Sequence, residues 1–454
     1  MKAIILAAGK GKRMHSKLQK VLHPVLGKPM IQYVIDAVRG AGISDITVVI
    51  GQNADGLKEG LAEANEGLNF AVQDTPLGTG DAALAGSKFV KDGDSVLILC
   101  GDMPLTTEAF LRDFIEYYET SSSDAVVAAV YRPGEHDFGS VYEDAGIFRE
   151  IVEQRDMKPD SLGTDWANTG FYLFNGAALC YGLSRMTNDN SQNEYYLTDV
   201  PKILRDDGRN VRVFHSRADF SVFTGINTQA QLADAVGLMR TRINTEHMAR
   251  GVRFIDPSSV FIDDSVKIAG GAVIYPGVIM EGLCEIAEGA VIGPHSHMKN
   301  TVVGENATVR QSVTTDAKIG ANSDIGPFAY LRPGTVIGKG CRIGNFVEIK
   351  NANLGDEVKM AHLAYIGDAD VGNDVNIGCG AITVNYDGRK KHRTVIKDGA
   401  FVGSNVNLIA PVTVEEGGFA AAGSTITDTV PENSLAIARA RQNNKIDWRK
   451  QKKP

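Results

Sequence analysis

A glycine-rich basic run near the start, Leu6-Ala7-Ala8-Gly9-Lys10-Gly11-Lys12-Arg13-Met14 with Lys20 just beyond, has the composition of a polyphosphate loop. Glycines let main-chain N–H groups approach a phosphate, and lysine and arginine supply countercharge. The run has neither a terminal Gly-Lys-Ser/Thr nor a third glycine, so it is neither a P-loop nor a dinucleotide fingerprint. Taken alone it also suits a solvated surface turn. Two further segments, Gln73 through Leu77-Gly78-Thr79-Gly80 and Cys100-Gly101-Asp102-Met103-Pro104, each follow an apolar stretch. A carboxylate beside a glycine at the end of a buried strand can hold Mg2+ against nucleotide phosphates. Asp102 is placed that way, and the alternative for it is a simple turn cap.

In the second half, three segments interrupt an otherwise regular repeat. Asn345-Phe346-Val347-Glu348-Ile349-Lys350 has lysine where glycine is usual. Met360-Ala361-His362-Leu363-Ala364-Tyr365 brings a histidine and a tyrosine into one unit. Residues 385–393, Asn-Tyr-Asp-Gly-Arg-Lys-Lys-His-Arg, form an insertion too polar for a packed coil. Loops that leave a regular scaffold can reach a substrate or a neighbouring subunit. A lone histidine in a repeat is by itself more often structural.

The repeat positions these residues. Ile319, Ile325, Leu331, Ile337, Ile343 and Ile349 recur at every sixth position, most of them followed by glycine. The same phase runs through Ile268, Ile274, Met280, Ile286 and Ile292, and resumes at Leu354, Met360, Ile366, Val371 and Ile377. A period of six is neither helical nor a simple alternation; it predicts a parallel β-helix whose flat faces each send one aliphatic side chain to the axis. The glycines are expected at corners, where a backbone without Cβ turns most readily.

The first half reads differently. Residues 2–6, 46–50, 70–73, 96–99 and 125–130 have the pattern of short buried strands, and 30–38, 82–89 and 110–118 that of helices. Such alternation predicts a Rossmann-like α/β domain with a mostly parallel sheet and ligands at the carboxyl ends of its strands. Between the halves, Leu232, Val236, Met239 and Ile243 at helical spacing predict a linker helix with one packed face. The expected organisation is 1–229, a linker at 230–250, and 251–454.

At 454 residues the chain exceeds one ordinary core. Its net charge of −8 argues against broad nucleic-acid or anionic-membrane binding, so any polyanion should be small and held locally. No apolar run is long enough to insert into a membrane, and the first residues read as a strand, not a signal peptide. Cys100, Cys180, Cys284, Cys341 and Cys379 form no CxxC pair, which fits reduced cytoplasmic thiols packed as small core residues. The basic tail Arg449-Lys450-Gln451-Lys452-Lys453 reads as a solvated terminus.

The three glycine-bearing segments, with Gly139, Ile151-Val152-Glu153, Asn168-Thr169-Gly170, residues 193–199 (Asn-Glu-Tyr-Tyr-Leu-Thr-Asp) and Gly225-Ile226-Asn227, are similar to the sugar-nucleotide pyrophosphorylases. Joined to a hexapeptide solenoid, the whole length resembles the bifunctional bacterial N-acetylglucosamine-1-phosphate uridyltransferases/glucosamine-1-phosphate N-acetyltransferases. The resemblance implies an α/β nucleotidyltransferase domain, a helical linker and a left-handed parallel β-helix, assembled as a homotrimer. It implies acetyl transfer from acetyl-CoA to glucosamine 1-phosphate, then uridylyl transfer from UTP with Mg2+, giving UDP-N-acetylglucosamine for peptidoglycan. By resemblance, Leu6, Ala7, Ala8, Gly9, Gln73, Gly78, Thr79, Cys100 and Gly101 meet the nucleotide, and Asp102 and Asn227 hold Mg2+. Arg13 and Lys20 act on the triphosphate, and Gly139, Glu153 and Asn168 on the sugar. His362 is the implied general base of acetyl transfer, for which histidine suits because it titrates near neutrality. Arg332, Lys350, Tyr365, Asn376 and Lys391 are implied to bind glucosamine 1-phosphate, and Cys379, Asn385, Tyr386, Ser404, Ala422 and Arg439 acetyl-CoA. Lys12, Gln19 and Cys379 depart from the family's usual residues. The alternative kept open is a monofunctional nucleotidyltransferase carrying its solenoid as scaffold.

Overall fold

The computed structural model describes residues 1–9, 11–52, 54–134, 138–157 and 163–449. Lys10 of the glycine-rich run and Lys450, Gln451, Lys452 and Lys453 of the tail lie outside them. Met1–Met239 and Arg240–Pro454 form two compact units, and the division falls within one long helix, Gln229–Ala249.

The first unit is built on a nine-stranded sheet. Its strands are β1 (Lys2–Leu6), β2 (Asp45–Gly51), β3 (Asn69–Gln73), β4 (Ser95–Cys100), β5 (Ala125–Tyr131), β6 (Ser140–Asp144), β7 (Ile147–Val152), β8 (Trp166–Asn175) and β9 (Val211–Ser216), in the order β3-β2-β1-β4-β8-β5-β9-β7-β6. β1 to β4 are parallel, with Leu6 opposite Val49 and Cys100, and Gly51 opposite Gln73. Their carboxyl ends therefore share one edge, and the three glycine-bearing segments leave from it. The expected mostly parallel sheet needs correction: β8 runs antiparallel to β4 and β5 at the centre, and β7 runs antiparallel to β9 and β6.

Helices α1 (Met30–Gly40), α2 (Asp55–Ala64), α3 (Thr79–Ser87) and α4 (Glu108–Ser121) are followed by α5 (Gly176–Leu183) and α6 (Asp199–Asp206). α3 starts three residues before the periodicity predicts, because Gly78, at φ 117°, turns the chain directly into it. α4 is anchored by Phe110, whose ring meets Phe171 at 5.0 Å and Phe223 at 4.8 Å, both edge-on. Each such buried ring stabilises the unit by roughly 1.5–3 kcal/mol. The Phe223 contact also fixes the segment that runs on to Asn227.

The second unit is a three-sided parallel β-helix. Lys267 pairs with Glu285, Val273 with Val291 and Asp324 with Arg342, each 18 residues on, so one coil is three six-residue faces. The six aliphatics from Ile319 to Ile349 are all buried, as the period predicts. The glycines behind them have a different function from the expected one. Of Gly320, Gly326, Gly338 and Gly344, only Gly326 has a positive φ. A Cβ on Gly320 would stand 2.3 Å from the Gly338 carbonyl oxygen, and one on Gly338 would stand 2.3 Å from that of Gly355. These residues are small because the next coil's backbone lies against them. The left-handed turns are made instead by residues such as Asn322, Gly334, Gly340 and Asn351.

Where His362 lies the coil changes: Arg342–Lys350 and Lys359–Gly367 are unbroken nine-residue strands that pair across a corner, with Asn345 opposite His362. Above them the coil lengthens. Asp370 pairs with Val395, 25 residues on, and the polar insertion lies within that longer coil.

Candidate active sites

In the first unit the glycine-rich loop folds back on Lys20. Gly11 is left-handed at φ 57°, and a Cβ there would lie 2.7 Å from the Lys20 Cβ. Lys20 Nζ donates to the Asp102 carboxylate and, at 3.0 Å, to Asn227 Oδ1, so one ammonium gathers oxygens from two other segments. The Ile226 N–H bonds the Asp102 carbonyl at 3.0 Å, and the Gly101 N–H bonds the Leu6 carbonyl at 2.9 Å. Between Asp102 and the strand, burial first and then the Asp102 carboxylate push the Cys100 thiol up to about 12. Arg13 is exposed in a single 3-10 turn, Lys12–Met14.

A cavity of about 290 Å3 opens beside this cluster, lined by Ala7, Ala8, Gly9, Gln19, Gln52 and Gln73 among others. Gly78 lies against the main chain of Tyr195, where a Cβ would stand 2.5 Å from its carbonyl oxygen. Thr79 Oγ1 accepts from Leu197 N–H at 3.1 Å, so segment 193–199 closes over 77–80. The three sugar candidates also meet: Asn168 N–H donates to the Gly139 carbonyl at 2.8 Å, and Glu153 Oε2 is 3.3 Å from where a Gly139 Cβ would be. Burial raises Glu153 above the ordinary carboxylate value, partly offset by its bond with Thr198.

In the second unit, His362 Nδ1 lies 3.1 Å from Asn345 Oδ1. With that oxygen accepting, Nδ1 carries the proton and Nε2 is left as the basic nitrogen. One face away, Arg332 Nη1 donates to Glu348 Oε1 at 2.8 Å, and Tyr365 stands opposite Glu348 in the strand register. The insertion is a hairpin. Asp387 Oδ1 accepts from Arg389 and Lys390 N–H at 2.7 and 2.6 Å, Oδ2 meets His392 Nε2 at 2.7 Å, and Tyr386 pairs with Lys391. These bonds hold Asp387 at about 2. The hairpin brings Lys391 to Lys350, whose pKa is held below the ordinary lysine value first by that contact.

Behind the lysines, buried Asp368 accepts from Asn351 Nδ2 at 2.6 Å and from Asn385 Nδ2. Asn376 lies on the neighbouring face, opposite Lys359 and Phe401. Four acetyl-CoA candidates form a column along the solenoid. Asn405 N–H bonds the Cys379 carbonyl and Gly423 N–H the Ser404 carbonyl, both at 2.8 Å; Ala422 precedes Gly423, and Arg439 stacks beside it. Tyr386 stands exposed on the hairpin.

Residues 3–192 match the MobA-like NTP transferase domain, and 316–351 match the bacterial transferase hexapeptide (six repeats). The chain is 44% identical over 448 residues to the bifunctional protein GlmU of Brevibacillus brevis, covering 98% of this chain and 96% of that protein. Against the GlmU proteins of Clostridioides difficile and Exiguobacterium sibiricum the identity is again 44%, over 98% of this chain and 97% and 99% of theirs. The chain belongs to the GlmU family.

As in a GlmU-family chain, then, an N-terminal nucleotidyltransferase domain precedes a left-handed parallel β-helix of hexapeptide repeats. Sequence reasoning singled out no role for Asn345, for Asp368, or for Asp81, which accepts from Gln73 Nε2 at 2.7 Å. Asn345 was within reach of it: one coil below His362, the register places a residue 17 earlier. Asp368 and Asp81 sit in ordinary turn and helix-start contexts, and only their packing distinguishes them.

Proposed function

We propose that residues 1–229 transfer uridylyl from UTP to N-acetylglucosamine 1-phosphate and that 251–454 acetylate glucosamine 1-phosphate from acetyl-CoA, with 230–250 as linker. The observation that carries this reading is that each unit gathers its own cluster of charges from distant segments: Lys20 with Asp102 and Asn227 in one, and Arg332 with Lys350 and Lys391 in the other, where the strand that ends at Lys350 pairs with the strand that carries His362.

For uridylyl transfer, a sugar-phosphate oxygen attacks the α-phosphorus of UTP and pyrophosphate leaves. The reactants are polyanions, so the protein's task is to align them and neutralise charge. The main chain of 6–9, with Gln73, Gly78, Thr79, Cys100 and Gly101, forms the nucleoside wall, and Lys20 together with exposed Arg13 faces the phosphates. Gly139, Glu153 and Asn168 form the sugar wall. Asp102 and Asn227 suit Mg2+: both present oxygen, and both already converge on one cation, the Lys20 ammonium. Among the described residues no three His, Cys, Asp or Glu side chains form a metal site by themselves, which fits an ion whose other ligands are phosphate and water. Asp102 and Asn227 would hold the ion, which would supply countercharge to the phosphates.

For acetyl transfer, the glucosamine amine forms a bond to the thioester carbonyl carbon, the C–S bond breaks, and the thiolate leaves. His362 Nε2 takes the proton from the attacking amine, while Asn345 holds the ring. Arg332, Lys350 and Lys391 hold the phosphate dianion, with Tyr365 and Asn376 at the sugar. The column Cys379, Ser404, Ala422 and Arg439, with Asn385 and Tyr386, receives the coenzyme.

A homotrimer fits the outer face of the solenoid, where Phe261, Ile279, Val313, Tyr330 and Ile382 fall on one register column and remain 36–43% exposed. We assign the protein to the cytoplasm; among the described residues no helix is long and apolar enough to cross a membrane.

The test supplies glucosamine 1-phosphate, acetyl-CoA, UTP and Mg2+ and follows free thiol and pyrophosphate separately. His362→Ala should abolish thiol release alone, and Asp102→Ala pyrophosphate alone when N-acetylglucosamine 1-phosphate is provided. Pyrophosphate formation without any thiol release by the parent would leave the solenoid a scaffold.

A further inference from the structure

Gln73 lies between two cavities at the end of β3. One is the cavity beside the phosphate loop, and the other is lined by Asp74, Leu77, Asp81 and Lys88 among others. Gln73 is 95% buried, and its Nε2 donates to Asp81 Oδ2 at 2.7 Å and to the Gly78 carbonyl at 3.1 Å. Both partners are oxygens that can only accept: an aspartate carboxylate and a main-chain carbonyl. They engage both amide hydrogens, so the amide has one permitted orientation. Among the described residues nothing donates to Gln73 Oε1, which is left as a hydrogen-bond acceptor. Asp81 is itself held in place at the first turn of α3, where the helix dipole favours a carboxylate.

We propose that Asp81 is a positioning residue that sets the base preference of the nucleotide site by locking Gln73 with its acceptor end toward the base. This rests on the reading of the phosphate-loop cavity as the nucleotide site. Uracil offers an N–H at N3, which a glutamine oxygen accepts. Cytosine carries a lone pair at N3, which opposes that oxygen and would need the amide turned around. With a carboxylate at 81, turning it would set two acceptors face to face and leave the Gly78 carbonyl opposite another oxygen, an arrangement with buried unpaired groups. Thymine shares the N3–H, so the lock discriminates against cytosine and not against thymine.

The experiment measures pyrophosphate release with UTP, CTP and dTTP, N-acetylglucosamine 1-phosphate being the acceptor, for the parent, Asp81→Asn, Asp81→Glu and Gln73→Ala. Asparagine can donate as well as accept, so Asp81→Asn should reduce the UTP-to-CTP ratio of kcat/KM by roughly tenfold or more. The UTP-to-dTTP ratio should stay as in the parent, and Asp81→Glu should restore much of the preference against CTP. If Asp81→Asn does not fold, Asp81→Ser, whose hydroxyl also donates and accepts, carries the same expectation. Circular dichroism and the thermal unfolding transition, compared with the parent, report whether each variant is intact. An unchanged UTP-to-CTP ratio in Asp81→Asn, with Gln73→Ala weakening UTP use, would overturn the lock alone. If Gln73→Ala changes neither UTP use nor base preference, the assignment of the cavity to the nucleotide fails, and the inference falls with it.

Discussion

The side chains of Lys350 and Lys391 are in direct contact, one from a solenoid strand and the other from the hairpin that leaves the coil above it. Two ammonium groups so placed repel, and the repulsion is relieved when an anion sits between them. Removing Lys391 should therefore weaken phosphate binding and also raise the pKa of Lys350. Lys391→Ala is expected to raise the KM for glucosamine 1-phosphate about tenfold or more. Binding of the dianion needs Lys350 charged, and Lys391 lowers its pKa, so the parent should lose affinity at lower alkaline pH than the variant does. KM measured from pH 7 to 10 checks both statements.

Asp387 organises the hairpin, and its effect should be local. Its carboxylate is held at about 2 by the Lys390 and Arg389 N–H groups and His392. A depressed carboxylate stabilises the hairpin above the ordinary aspartate value of about 4 and loses that effect as pH falls through about 2. Asp387→Asn should then loosen the turn at neutral pH, raising the KM for glucosamine 1-phosphate several-fold through Lys391. The thermal midpoint and pyrophosphate formation should remain as in the parent; a large drop in the midpoint would show that the hairpin supports the whole solenoid.

Gly338 tests the stacking of coils. A Cβ there meets the Gly355 carbonyl oxygen at 2.3 Å, and backbone on backbone leaves no flexible side chain to yield. Gly338→Ala should destabilise the second unit by about 2–4 kcal/mol, read by denaturant unfolding.

The cysteines should divide by reactivity. Cys379 is exposed, whereas burial raises the thiols of Cys284 and Cys341 and, with Asp102, that of Cys100. A thiolate reagent at pH 8 should label Cys379 first. Labelling should block thiol release, leave pyrophosphate formation intact, and be slowed by acetyl-CoA. Rapid labelling that acetyl-CoA does not slow would remove Cys379 from the coenzyme column.

What the sequence by itself determined was local and repeated. A six-residue period specifies a coil because every inward position makes the same demand, and Ile319 to Ile349 meet it one after another. The ends of β1 and β4 were legible because an apolar run followed by glycine and charge has few other uses. His362 and Asp102 stood out against those backgrounds. The tertiary structure decided which distant residues meet. Lys20 reaches Asp102 and Asn227, 82 and 207 residues away, and no local pattern encodes a path of that length. The antiparallel course of β8 depends on how the chain returns after β7, and the Gly320–Gly338 approach depends on the next coil. The orientation of the Gln73 amide was likewise settled only by packing, because an amide has two nearly identical ends and only its neighbours choose between them.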